Sequence, residues 1–166
     1  MKVIGIDVNQ KYLVCASPNL TQLHPNFNYF YIRNDIKEFL VNFFGLHEIY
    51  IVFMEDPNIL RDDIKRSQNN KGGMKIVSLI KDLKKFLEEN GFKVIYVNPR
   101  NTSSLCPICN KKLEVINNLH VLKCPNCNLI MHKDKIASWN ILNRGLQKIR
   151  GLKNEAKEKG REIRRR

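Results

Sequence analysis

The sequence predicts an α/β fold: a mixed five-stranded sheet flanked by helices and interrupted by a small cysteine-rich insert. Three observations carry that prediction. Across residues 2–97, β-prone and amphipathic segments follow one another in the order β-β-β-α-β-α-β. Two Cys-x-x-Cys pairs crowd the stretch after the fifth strand, ahead of one last helix. And 166 residues with 43% hydrophobic content suffice for one core and a small accessory module.

The elements read in order. Residues 2–7 (KVIGID) are an apolar run ending on an acid, and residues 11–17 (KYLVCAS) are a second β-prone run. Asn9-Gln10 between them suits a tight turn, so the pair reads as a hairpin, with Cys15 a buried core thiol. After a turn-rich stretch, residues 28–32 (NYFYI) read as the third strand. A short helix follows, with Asn34 as N-cap, Ile36, Phe39, Leu40 and Phe43 at helical spacing, and Gly45 as its stop. Residues 49–54 (IYIVFM) are apolar throughout, as in a strand covered on both faces, and Glu55 closes them. Residues 56–73 read as polar and irregular, with Asp62 and Asp63 solvated and Gly72-Gly73 a breaker. From Met74 to Asn90, Ile76, Leu79, Ile80, Leu83, Phe86 and Leu87 make one apolar helical stripe, with Gly91 as the C′ residue. Residues 92–97 (FKVIYV) are the fifth strand, closed by Pro99. The last helix starts near Asp134, carries Ile136, Ala137, Asn140 and Ile141 on one face, and leads into a charged end.

Charge narrows the function classes. The chain has 29 Lys+Arg against 16 Asp+Glu, a formal charge of +13. Such an excess favours polyanions, because each neutralised phosphate releases condensed counterions. No apolar run approaches the roughly 20 residues that cross a bilayer. The N-terminus enters a strand pattern at once rather than a signal-peptide pattern, so a cytoplasmic location is expected.

Four of the five cysteines form the motif Cys106-Pro-Ile-Cys109, fourteen residues, then Cys124-Pro-Asn-Cys127. Without a secretory signal, this spacing points to metal rather than disulfides. Each pair forms a knuckle that aims two thiolates at one ion, and two knuckles complete a tetrahedral zinc shell. Four protein ligands leave no open position, so the zinc is expected to be structural. Residues between the pairs, among them Leu113, Val115, Ile116, Leu119, Val121 and Leu122, suit a small hairpin. His120 and His132 flank the site and are expected to stay outside the filled shell.

Three acids sit at the ends of separate elements: Asp7 after the first strand, Glu55 after the fourth, Asp134 at the start of the last helix. If the first and fourth strands are parallel neighbours, Asp7 and Glu55 project from one sheet edge. Gathered carboxylates repel one another unless a cation holds them, and hard oxygen ligands suit Mg²⁺ or Mn²⁺.

The run Gly5-Ile6-Asp7-Val8-Asn9 resembles the first motif of RuvC-like nucleases of the RNase H superfold, and Phe53-Met54-Glu55-Asp56 resembles the second. The segment from Pro99 through Thr102-Ser103-Ser104, both cysteine pairs and His132-Lys-Asp134-Lys-Ile-Ala137-Ser-Trp-Asn140-Ile141 is similar to the end of TnpB-type transposon nucleases. The resemblance implies an RNase H-like core over residues 1–100 and 133–150, a zinc ribbon over 101–132 and a basic tail over 151–166. It implies that Asp7, Glu55 and Asp134 are the metal-binding acids, with Asp56 beside them, Asn140 structural, and Thr102 and Ser103 ordering the ribbon entry. Where the chain departs from that family, it is expected to lack the family's large N-terminal RNA-binding region.

The function expected from these signals is metal-dependent DNA endonuclease. Asp7, Glu55 and Asp134 would hold two Mg²⁺ or Mn²⁺ ions that activate a water for phosphodiester hydrolysis. Lys75, Lys81, Lys84 and Lys85, with Arg164, Arg165 and Arg166, are candidates for holding DNA phosphates, on a branched or single-stranded substrate; RNA is a further candidate partner. The alternative is a non-catalytic nucleic-acid-binding protein or subunit derived from a TnpB-type protein.

Overall fold

The first hairpin sets the frame of the computed structural model, which describes residues 2–67, 71–116 and 120–163, apart from the side chains of residue 71 and of residues 155 onward. β1 (Lys2–Val8) turns at Asn9, whose N–H donates to the Tyr12 carbonyl at 3.0 Å, and pairs antiparallel with β2 (Tyr12–Ser17). β3 (Asn26–Tyr31) adds antiparallel to β2, starting two residues before the expected boundary. β4 (Ile49–Glu55) lies parallel to β1, and β5 (Lys93–Val97) parallel to β4. The mixed sheet has the order β3-β2-β1-β4-β5.

Alternation along the strands assigns each face its own helices. Ile4, Ile6 and Val8 of β1, with Val52 and Met54 of β4, form one core with Ile36, Leu40 and Phe44 of α1 (Ile36–Leu46) and Ile80, Leu83 and Leu87 of α3 (Lys71–Glu89). Buried Cys15 belongs to this core, as expected. Val3 of β1 and Ile51 and Phe53 of β4 point the other way, onto Ile141 and Leu142 of α4 (Lys133–Ile163). Asp7 and Glu55 share the parity of this second set, so both acids lie on the α4 face.

Local expectations fail at several places, each for a physical reason. α1 runs through Gly45 to Leu46 and is capped by Asp35 without a side-chain bond; the chain reverses only at Glu48, which takes φ 52°. Within the stretch expected to be irregular, residues 57–66 and 71–73 are helical: Asp56 caps α2 (Pro57–Arg66) by accepting from the Asn58 N–H at 2.9 Å, and Pro57 takes the first helical position, where its missing N–H is harmless. Gly73 lies inside α3, where a Cβ would meet Ile64 at 2.5 Å; it is a contact glycine between two helices, not a breaker. Gly91 does end α3 in the left-handed region, at φ 86°. Nor is β4 covered throughout, since Tyr50 is exposed. Asp63 is not merely solvated either, as it accepts from Nε and Nη2 of Arg100 at 3.3 Å.

The cysteine-rich stretch folds on its own small antiparallel sheet, order β6-β7-β8, made of β6 (Glu114–Val115), β7 (Val121–Lys123) and β8 (Ile130–His132). The expected hairpin thus gains a third strand; Leu119, placed in that hairpin by its pattern, lies outside the described residues. α4 follows directly and continues through the charged end to Ile163. No helix among the described residues is long and apolar enough to cross a membrane.

Candidate functional site

Register brings two acids side by side. Ile6 pairs with Met54 across the parallel β1–β4 ladder, so the next residue along, Asp7, emerges next to Glu55. The third acid comes from above. A Cβ on Gly5 would lie 2.6 Å from the Leu142 nitrogen and 2.7 Å from the Ser138 oxygen, so α4 crosses β1 in backbone contact at this glycine. That close crossing sets the first turn of α4, carrying Asp134, over the end of β1. Asp134 is then tied to β2, because the Tyr12 hydroxyl donates to its Oδ2 at 2.6 Å.

Each acid is held by a named partner. Asn9 Nδ2 donates to Asp7 Oδ2 at 2.9 Å. Thr102 Oγ1 donates to Glu55 Oε1 at 2.7 Å and also lies 2.9 Å from the Pro99 oxygen. Asn140, buried in α4, donates from Nδ2 to the carbonyls of Thr102 at 2.7 Å and Leu105 at 2.8 Å. Asn140 therefore fixes the residue that fixes Glu55. The resemblance implied a structural role for Thr102 and Asn140; their contact with the acid cluster needed the fold.

Electrostatics follow from the crowding. Burial, then the charges of Glu55 and Asp134, push the Asp7 carboxyl well above the usual aspartate range, against the Asn9 bond and the nearby Lys133. Burial pushes Glu55 up, against the Thr102 hydroxyl and Arg144. The bond to Asp134 holds the Tyr12 phenol up to about 12, so it remains a donor at neutral pH. Carboxylates arranged this way ionise together most readily around a cation, and oxygen donors suit a hard divalent ion. Their spread is wider than a single tight shell: among the described residues, only the four cysteines bring at least three ligand atoms within 4.8 Å of one another.

That cysteine cluster fits zinc. Cys106 and Cys127 sulfurs lie 3.4 Å apart, as do those of Cys109 and Cys124, and Cys127 lies 3.8 Å from Cys109. Zn–S bonds of about 2.3 Å in a tetrahedron need sulfurs a little under 4 Å apart. The two halves repeat one another. In each Cys-Pro-x-Cys-Asn run the asparagine takes a left-handed φ, 61° at Asn110 and 56° at Asn128. Its N–H returns to the first cysteine's carbonyl, at 2.9 Å from Asn110 to Cys106 and 3.0 Å from Asn128 to Cys124. The Cys127 N–H, then that of Asn126, lowers the Cys124 thiol to about 6, while the Cys106 sulfur pushes the Cys127 thiol up to about 12. His120 and His132 stay outside, stacked at 5.7 Å; His132 Nδ1 lies 3.6 Å from Asp134 Oδ2.

The expected phosphate contacts distribute differently. Lys75, Lys81, Lys84 and Lys85 ride on α3, which packs on the sheet face opposite Asp7 and Glu55. Lys84 pairs with Glu88 and sits over the Tyr96 ring, and Lys85 lies 4.0 Å from Glu89, so acids of the same helix partly offset this face. Arg164, Arg165 and Arg166 lie outside the described residues. Among the described residues, Lys133 acts on Asp7 and Arg144 on Glu55, both from α4.

The chain is similar to known proteins over part of its length. The family model "Cas12f1-like, TNB domain" matches residues 78–141. TnpB-like protein MJ0751 of Methanocaldococcus jannaschii is 36% identical over 114 residues, which is 66% of this chain and 40% of that protein. The chain is related to the TnpB-like proteins. TnpB-like protein MJ1635 of the same organism is 39% identical over 59 residues, 36% of this chain and 14% of the relative. Among solved structures, a Cas12f1 determined by cryo-EM in complex with sgRNA and target DNA has a similar fold, with a TM-score of 0.57 at 19% identity. That match covers 84% of this chain and 49% of the Cas12f1 chain. The TnpB-related chain thus spans less than half the length of the relatives it matches.

Proposed function

We propose that this TnpB-related chain cleaves DNA phosphodiester bonds at the Asp7–Glu55–Asp134 cluster, on a RuvC-like core of the RNase H superfold. The observation that carries the reading is the convergence of three carboxylates from three separate segments on one sheet face. Two of them end adjacent parallel strands, and the third is bonded to Tyr12 at 2.6 Å. A formal charge of +13 and relatives among the TnpB-like proteins support a nucleic-acid substrate.

Asp7, Glu55 and Asp134 would hold Mg²⁺ or Mn²⁺, which when bound supplies an activated water and stabilises the leaving oxygen. The chain's own residues do the positioning. Tyr12 orients Asp134, Thr102 orients Glu55, and Asn9 orients Asp7. Lys133 and Arg144 offset the carboxylate charge and favour approach of a phosphate. Cys106, Cys109, Cys124 and Cys127 would hold a structural zinc, which keeps the segment between β5 and α4 folded.

The test is cleavage of labelled single-stranded, duplex and four-way-junction DNA by purified protein. Mg²⁺, Mn²⁺ and EDTA arms are run beside Asp7→Ala and Glu55→Gln. Cleavage in the metal arms, lost in EDTA and in both variants, supports the reading. Equal cutting by wild type and variants would place the activity elsewhere. Salt-sensitive binding with no cutting in any arm would leave the non-catalytic nucleic-acid-binding reading.

A further inference from the structure

Beyond the acids, the same sheet face carries an aromatic row that the cleavage chemistry does not use. Tyr29 of β3 pairs with Val14 of β2, and Val14 pairs with Asp7 of β1. Tyr29 is therefore in one cross-strand row with Asp7, about 10 Å away at the usual strand spacing. Tyr31 pairs with Tyr12, the residue bonded to Asp134. Tyr12 lies 6.3 Å from Tyr29 and 6.5 Å from Tyr31, ring centre to ring centre. β3 is the outer strand of the sheet, and the two outer rings stay open to solvent, Tyr29 at 45% and Tyr31 at 71% exposure.

Flat rings exposed side by side offer faces on which another planar group can stack. Charge surrounds them. Lys135 Nζ lies 5.7 Å from the Tyr29 ring centre and 5.4 Å from that of Phe27, one residue past Asp134 in sequence. A cleft of about 280 Å³ wraps the outer edge of β3, lined by Tyr29, Tyr31 and Arg33 and, from the α1 side, by Phe30, Ile36 and Phe39.

We propose that the Tyr29–Tyr31 edge of β3 is a stacking platform for unpaired bases of single-stranded DNA, beside the phosphate presented to the acid cluster. The proposal rests on the nuclease reading for its purpose, though not for its test. In a duplex the base faces are covered by their neighbours, so only an unpaired base can lie on an exposed ring. Lys135 and Arg33 supply the charge that follows the backbone, in line with the chain's excess of cations. The route from Tyr29 to Asp7 is short enough for a few nucleotides of single strand.

The experiment is equilibrium binding of the zinc-loaded full chain to labelled oligonucleotides without divalent ions, so a failure of cleavage does not affect it. Wild type, Tyr29→Ala/Tyr31→Ala and Tyr29→Phe/Tyr31→Phe are compared on single-stranded DNA, an abasic strand of equal charge, duplex DNA and single-stranded RNA. Far-UV circular dichroism confirms that each variant is folded. The double alanine variant should lose about tenfold or more in affinity for the base-bearing strand and little for the abasic one, while the phenylalanine variant keeps wild-type affinity. Unchanged affinity in the alanine variant overturns the proposal, as does equal wild-type binding of abasic and base-bearing strands. Tighter binding of RNA than of DNA overturns DNA as the occupant. Wild-type self-association that the alanine variant abolishes would assign the edge to a second copy of the chain instead.

Discussion

The Thr102 hydroxyl donates to Glu55 Oε1 at 2.7 Å, and the Thr102 carbonyl is itself held by Asn140 at 2.7 Å. One threonine thus joins the end of β4, the entry to the cysteine module and α4. Residues that orient a metal-binding group typically change metal affinity or activity by about 10–100-fold when removed. Thr102→Val should therefore lower cleavage by about tenfold or more and raise the Mg²⁺ concentration needed for half-maximal rate. Thr102→Ser, which keeps the hydroxyl, should restore most of it. A valine variant with wild-type metal dependence would show that the bond does not position Glu55.

Asn140→Leu tests the structural half of the same link. It leaves two carbonyls, those of Thr102 and Leu105, without their donor. Buried groups stripped of a partner cost about 1–3 kcal/mol. Urea unfolding should show a loss in that range.

Gly5→Ala should be among the more harmful small substitutions in the chain. The added carbon would meet backbone atoms of Ser138 and Leu142 at 2.6 to 2.9 Å, and backbone cannot swing aside as a side chain can. Overpacking of this kind costs about 3 kcal/mol. It should also push the Asp134 turn away from Asp7, so cleavage should fall further than stability explains. A variant as stable as wild type would mean that α4 is not seated on β1 as described.

Asp7→Asn should stabilise the metal-free protein while abolishing cleavage. Asp7 is pushed up in the folded state, so the native form binds its proton more tightly than the unfolded chain. The charged carboxylate therefore destabilises the fold as pH rises above the unfolded value of about 4, most fully once pH exceeds the raised folded value. The gain from asparagine should be on the order of 1 kcal/mol at neutral pH and shrink toward zero as pH falls to about 4. Thermal melts in EDTA at several pH values read this directly. A gain that grows on acidification would contradict the sign.

Trp139, the chain's single tryptophan, is buried with Leu113, Leu122, Leu129 and the cysteines. It therefore reports on the cysteine module without a label. Removing zinc with a strong chelator, or Cys124→Ser, should shift its emission to the red and reduce cleavage together. Full cleavage with shifted emission would separate the module from the acid cluster. Unchanged emission would show that the module keeps its fold without metal.

Much of this was legible in the sequence because it rests on short-range pattern. The strand order, the α3 stripe, Gly91 and the four-cysteine spacing are all local signals. α2 is hard to read from pattern because its apolar residues, Ile59, Leu60 and Ile64, are few within a ten-residue, mostly charged run; its local start signal is Asp56 before Pro57. Gly73 looked like a breaker because a contact glycine and a flexible one are the same letter until a neighbour such as Ile64 is in place. The three acids could be picked out by their positions, but their partners Tyr12, Asn9 and Thr102 could not. The Tyr12–Asp134 bond spans 122 residues, and no periodicity encodes such a distance.

The shared packing around Trp139 limits how the molecule can be taken apart. Leu113, Leu122 and Leu129 are covered by Ile136 and Trp139, one turn or so past Asp134 on the same helix. The cysteine module is thus roofed by the element that delivers the acid. Transplanting it into another scaffold without that helix would leave its leucines bare, and swapping the helix alone would unroof it. Anyone re-engineering this chain has to move the two as one cassette.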